Sequence, residues 1–271
     1  MKTCSRIVLA VLSLALCMQA RAMNAFSNDV SDLWWNPDES GWGVNVIEQS
    51  NILFATLFVY DQNGQAHWYV ASDLTSINVP TDRPYEFTGR LYETTGPVFS
   101  AASFAASAVT RRDVGTMTFE FIPPYNANLS YSVDGAVVSK HVVRQAWATN
   151  NLSGNYFGGQ FTIKSPFTPS TCTTKAGLQA FDNITIAHSG SSVTIEAAFG
   201  TPPQELCRYT GTYSQSGHMG EVSGAYSCQT GASGTFKLLE VEVGTNGFSS
   251  SYSATTNGCT VLGNFSAVRA N

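Results

Sequence analysis

The sequence predicts an all-β protein of two consecutive antiparallel β-barrel or sandwich domains, the second disulfide-bonded. Three observations carry this. Helical periodicity is nearly absent, and short β-rich runs separated by Gly, Asn, Asp and Ser turns recur throughout. Of the 271 residues, 43% are apolar, 12% aromatic and only 12% charged, against about 25% charged in an average domain, and that balance excludes disorder. All five Trp lie before residue 150, while Cys172, Cys207, Cys228 and Cys259 lie after it, a split that favours two domains over one. The formal charge of −5 argues against a nucleic-acid partner, which needs a basic face.

Residues 1–22 read as an export signal: Lys2 and Arg6, then the apolar stretch from Ile7 to Leu16, then Ala20-Arg21-Ala22 with cleavage after Ala22. The apolar stretch falls short of the roughly twenty residues a spanning helix needs, so no transmembrane segment is expected. Lipid attachment through Cys17 is disfavoured by Leu16, which stands where a small residue belongs. The expected product is periplasmic or secreted, and loss of the signal leaves 11 basic and 19 acidic residues, a net charge of −8. Residues 23–149 hold −7 of that charge and residues 150–271 only −1.

In the Trp-rich domain, 23–149, the clearest strands are 51–60 and 65–72, joined through Asn63-Gly64, a strong hairpin signal because both residues tolerate positive φ. A two-residue Asn63-Gly64 loop would pair Tyr60 with His67, Val59 with Trp68 and Phe58 with Tyr69. Asp134-Gly135 turns a second hairpin between 129–133 and 136–144. Strands at 43–49, 85–93 and 115–121 bring the total to about seven. In the Cys-containing domain, 150–271, eight strands fit 153–160, 181–188, 193–199, 207–214, 221–228, 235–243, 248–254 and 261–268, and Asn150-Asn151 marks the boundary. The four cysteines form an even set without metal-ligand spacing, so two disulfides are expected, with three connectivities open and no metal or cofactor implied.

The densest segment is DLWWNPDESGWGVNVIEQ, residues 32–49. Asn36-Pro37-Asp38-Glu39 forms a turn, and Gly41 and Gly43 let the backbone bend around Trp42. Trp34, Trp35 and Trp42 beside Asn36, Asp38, Glu39 and Asn45, with Glu48 and the hairpin's Trp68, have the composition of an aromatic ligand site. Indoles stack on apolar ring faces while amides and carboxylates bind hydroxyls. The competing reading is that these Trp fill a barrel core.

The strings LWWNPDESGWGVN, LFATLFVYDQNGQAHWYVAS, TGRLYETTGPVF, VGTMTFEF, LSYSVDG and SKHVVRQ, in that order over about residues 32–147, resemble a family of exported proteobacterial proteins with an LWWNPxESGWGxN-type β-rich domain. That family has no assigned activity, so the resemblance implies an exported β-domain and its boundary and supplies no catalytic residues. The ending GNFSAVR is similar to the closing strand of lipocalin-like or avidin-like barrels, an analogy of shape only.

Metalloprotease, serine-hydrolase and phosphate-loop motifs are absent, and His67, His141, His188 and His218 are isolated in sequence. The leading expectation is a non-catalytic exported binding protein for a glycan, a small apolar molecule or an envelope protein. Glycan hydrolysis by Glu39 and Glu48 is the enzymatic alternative, which needs carboxyls within about 5–9.5 Å. A purely structural or interaction module is the third.

Overall fold

The computed structural model describes residues 29–50, 52–78, 85–122, 125–172, 177–200 and 204–270. The signal segment and Cys17 lie outside these. The chain forms two closed antiparallel barrels of eight strands each. The first runs β1 Asp32–Trp35, β2 Gly43–Gln49, β3 Ile52–Tyr60, β4 Ala66–Asn78, β5 Tyr85–Thr95, β6 Thr110–Ile122, β7 Asn126–Val133 and β8 Ala136–Arg144. It closes where Trp34 of β1 pairs with Arg144 of β8 and Trp35 with Val143.

Alternation builds its core. Along β3, Leu53, Ala55 and Leu57 point inward and are fully buried, while Ile52, Phe54 and Phe58 point out. Inward residues from the other strands, including Leu74, Leu91, Met117, Phe119 and Leu129, complete an apolar filling. Trp34 plugs it: its indole lies edge-on to Phe119 and Phe121, and its Nε1 donates to the Val30 carbonyl at 3.0 Å.

Two local expectations are corrected. β1 is an eighth strand, inside the segment read only as a ligand site. The β3–β4 hairpin is one residue out of the expected register: Tyr60 faces Ala66, Val59 faces His67 and Phe58 faces Trp68. Asp61 is responsible. Its Oδ1 accepts from the amides of Asn63 and Gln65, its own N–H donates to the Gln65 carbonyl, and Gly64 takes φ +73°. That is a three-residue loop with Gly in the left-handed position, not a two-residue one. It sets Phe58 and Trp68 as neighbours on the outer face, beside exposed Phe54 and Tyr60. The Asp134-Gly135 turn matches expectation, with φ of +48° and +87°.

The second barrel runs β9 Gly154–Lys164, β10 Gly177–Ser189, β11 Ser192–Phe199, β12 Glu205–Ser216, β13 Met219–Cys228, β14 Ser233–Gly244, β15 Gly247–Thr256 and β16 Cys259–Arg269. It closes between β16 and β9 from Val261↔Lys164 to Arg269↔Tyr156, so the GNFSAVR ending does close a barrel. Each expected strand of this half is present and extends further than the β-rich run that marked it. The connectivity is Cys172–Cys259 and Cys207–Cys228; the latter is a rung between directly opposed residues of β12 and β13.

The connection between the barrels is held down. Leu152 is fully buried in the second core, and the Asn150 amides bond Gln215 Oε1 at 2.8 Å and the His218 carbonyl at 2.9 Å. Across the joint, Asp32 Oδ2 accepts from the His218 backbone at 3.2 Å and meets His218 Nδ1 at 2.8 Å. The adjoining Gly217 has φ +60°, and a Cβ there would lie 2.0 Å from Asp32 Oδ2 and 2.8 Å from the Arg144 Cβ.

Trp34→Ala is expected to cost about 3–5 kcal/mol in denaturant unfolding, and Trp68→Ala on the outer face less than about 1 kcal/mol. Gly217→Ala should separate the barrels, seen as a larger radius of gyration in X-ray scattering. Gly190→Ala, at the same φ of +60° with open space around it, should not, which isolates the clash from the backbone strain.

Candidate ligand site

The residues proposed from sequence scatter over the first barrel. Trp34 is core. Trp35 is half-buried at the end of β1, Asn45 is exposed on β2 facing Leu33 and Thr56, and Trp68 is exposed on β4. Asn36 and Asp38 form the expected turn, with Asn36 Oδ1 accepting from the Asp38 amide at 2.9 Å and the Asn36 carbonyl accepting from Glu39 at 3.0 Å. Beyond it, Trp42 Nε1 donates to Glu39 Oε2 at 3.0 Å, and Lys140 bonds Glu39 at 2.8 Å while lying over the Trp42 ring. The Lys140 hydrogen bond holds the Glu39 carboxyl below its ordinary range. Glu39 and Trp42 thus brace the outer end of the barrel, beside an ion-pair network of His67, Glu93, Arg112 and Asp134. Glu48 sits at the opposite end of β2, accepting from the Val30 amide at 2.9 Å. At about 3.3 Å per residue, the strand between them sets the two Glu on the order of 15 Å apart. They are not brought together.

A cavity of about 260 Å³ opens instead at the outer end of the second barrel. The inner end of that barrel is filled by Tyr156, Phe181, Ile184, Ile186, Phe248 and Phe265. Toward the outer end the inward positions turn polar. Gln160 and Thr162 of β9 are buried, and Gln160 Nε2 donates to Gln179 Oε1 across the β9–β10 pair. Glu205 stands at the rim, accepting from Thr230 Oγ1. The rest of the lining carries Tyr209, Tyr226 and Tyr252, with Ala254, Thr256, Val261, the Cys207–Cys228 disulfide and Cys259. The Tyr209 and Tyr226 rings stack at 5.4 Å, and the Tyr226 hydroxyl pairs with Thr256 Oγ1. Burial pushes the Tyr209 hydroxyl up to about 12 and raises that of Tyr252 as well, so both stay neutral, with Tyr252 hydrogen-bonded to Tyr209.

Glu205 and the sulfurs of Cys207 and Cys228 gather within 4.8 Å. The two sulfurs are bonded to each other, so the cluster lacks the thiolates a metal needs. Other hollows, such as one of about 360 Å³ along Trp147, Ser191 and Gln215, lie open on the outside of the joint.

The joint gathers the strongest electrostatics. Arg144 is buried under Trp34, its guanidinium 4.8 Å from the ring, and it donates to the carbonyls of Asp29 at 2.6 Å and Ser31 at 3.3 Å and to Asp32 at 3.5 Å. Glu48, Glu240 and Asp29 add negative charge around it. Burial raises both Glu48 and Glu240 above the ordinary carboxylate range. Burial also opposes charge on Asp32, but the hydrogen bonds from His218 together outweigh it and hold that carboxyl low. The Asp32 hydrogen bond in turn raises the His218 imidazole.

Fold and site together define a tandem of closed eight-stranded barrels, the first with an apolar core among its described residues and the second open at its outer mouth. In comparison with known proteins, no family model, no curated protein and no solved structure matches the chain. Among the described residues, no helix is long and apolar enough to cross a membrane.

The mouth residues Gln160, Thr162, Gln179, Glu205, Tyr209, Tyr226 and Tyr252 escaped the sequence reading. The available signal was positional: amides and hydroxyls in the inward register of strands whose other inward residues are apolar.

The joint is expected to depend on pH in a defined direction. His218, being raised, contributes below its ordinary value of 6.5 and loses that contribution as pH climbs through its folded value. Asp32, being lowered, contributes above its ordinary 3.8 and fails only as pH falls through its folded value. Glu48 and Glu240, being raised, lose stability in the same direction, from their ordinary 4.5 upward through their folded values. X-ray scattering should therefore report a more open pair of barrels at about pH 8.5 than at about pH 5.5, and His218→Asn should remove much of that difference.

Proposed function

We propose that this is an exported, non-catalytic binding protein that takes a small molecule into the outer mouth of its second barrel. The observation that carries the reading is the contrast between the barrels. An eight-stranded barrel has an interior that side chains just fill or that holds one small ligand. Among the described residues, the inward side chains of the first form a continuous apolar core, whereas the second stops being filled where its lining turns to amides, hydroxyls and tyrosines. A concave, pre-formed lining, largely aromatic and apolar with a few placed polar groups and held by disulfides, suits a small-ligand site. Paired cysteines accord with export, the compartment in which such bonds persist. The family resemblance over residues 32–147 points the same way.

The hydrolase alternative has no geometric support, because Glu39 and Glu48 stand at opposite ends of β2. An interaction role keeps one specific observation in its favour, the exposed outer-face cluster of Phe54, Phe58, Tyr60 and Trp68.

Ligand-observed NMR against a small-molecule panel tests the reading. Binding is expected to be lost in Ala254→Trp, which fills the mouth, and kept in Trp42→Ala and Trp68→Ala. Binding that survives Ala254→Trp in a folded protein and fails in Trp42→Ala would overturn it in favour of the first barrel.

A further inference from the structure

The lining of the mouth narrows the class of molecule it accepts. The polar and the apolar lining residues form two groups that meet on β12 and at the β16–β9 seam. Gln160 and Thr162 on β9 and Gln179 on β10, with Glu205 at the rim of β12, form one group. Tyr209 on β12, Tyr226 on β13, Tyr252 and Ala254 on β15 and Val261 on β16 form the other. A molecule seated between them has an edge rich in hydrogen-bonding groups and a face that is apolar.

Charge narrows it further. Among the described residues of the lining, Glu205 is the one ionisable carboxylate, and no Lys, Arg or His is part of it. Burial holds the Tyr209 and Tyr252 hydroxyls neutral. An anion entering the mouth would lose its hydration, gain no cation and meet the charge of Glu205, which is costly in a partly dry site. Each amide of the Gln160–Gln179 pair spends one group on the other. Gln160 Oε1 is left as an acceptor and Gln179 Nε2 as a donor, a pair of complementary groups for a hydroxyl, which both donates and accepts.

Size sets the last limit. The volume of about 260 Å³ lies just below the roughly 300 Å³ at which pockets for drug-sized ligands begin, a size that suits a single sugar-sized ring. Resting on the reading of the mouth as a binding site, we infer that its ligand is an uncharged single-ring polyol, a neutral pyranose or the terminal residue of a neutral glycan. The hydroxyl edge of such a ring faces Gln160, Gln179 and Glu205, and its C–H face lies toward the tyrosine group.

The test is a titration of the full-length mature protein, followed by NMR with assigned tyrosine ring signals, using methyl glucoside, methyl galactoside, glucuronic acid and phenol as probes. At least one neutral glycoside is expected to shift Tyr209, Tyr226 and Tyr252. Glucuronic acid should bind at least about tenfold more weakly, and Glu205→Gln should recover most of that loss. Gln179→Leu should weaken glycoside binding by about tenfold, the loss of one buried hydrogen-bonding group. Circular dichroism and an unchanged β8–β9 amide spectrum would show that each variant is folded. Phenol shifting the mouth tyrosines while both glycosides leave them still would overturn the sugar assignment and keep the binding site. Glucuronic acid binding as tightly as the glycosides would overturn the charge argument. If none of the four moves those tyrosines, both the assignment and the parent reading fall.

Discussion

Closure of eight strands into a ring is the constraint on which the rest of this structure depends. Once strand number is set, the interior has a fixed width, and every inward side chain must share it with the others. The first barrel meets the constraint with bulk. Trp34, Phe119, Phe121, Met117 and five fully buried Leu fill the space and leave polar groups only at its ends. The second meets it with bulk at one end only, and its remaining width is bounded by groups that need hydrogen-bond partners. The difference between a filled and an open barrel comes from a handful of inward positions on strands that otherwise follow the same rules.

The second dependence is between the barrels. Nine residues separate Arg144 from Gly154, and they do not behave as a free tether, because Leu152 is core and Asn150 is bonded to the β12–β13 turn. That turn brings Gly217 and His218 against Asp32 and Arg144 at a distance that leaves no room for a side chain at 217. Arg144 answers to both sides: its face is covered by a core indole and its nitrogens are spent on the segment leading into β1. Charges in this place are desolvated, so protonation matters here more than among the exposed pairs such as Arg208–Glu196.

Much of the fold was legible because alternation, turn residues and cysteine parity are local signals. The strands 43–49 and 136–144 were located residue for residue, and the Asp134-Gly135 turn needed only the two residues that tolerate positive φ. What was not legible depended on three dimensions. The hairpin register turned on how Asp61 folds back on its own loop. β1 was hidden because a four-residue strand is shorter than any periodicity window. The Trp-rich segment looked like a site because composition does not say which way a ring points; Trp34 and Trp35 are neighbours in sequence on opposite faces of one strand. The mouth was missed for the complementary reason, since its residues come from six strands and are spread from Gln160 to Val261 in the sequence.

That four-residue strand has a consequence for how the molecule comes apart. β1 is the seam of the first barrel, held to β8 by two residue pairs where the second barrel's seam has nine. It also carries the tryptophan that fills the core and the aspartate that grips the second barrel. Sealing, filling and docking thus rest on one short segment, so peeling it away does not cost a single contact class but all three together. The two barrels, separate in architecture, are thereby tied into one cooperative unit at its thinnest point.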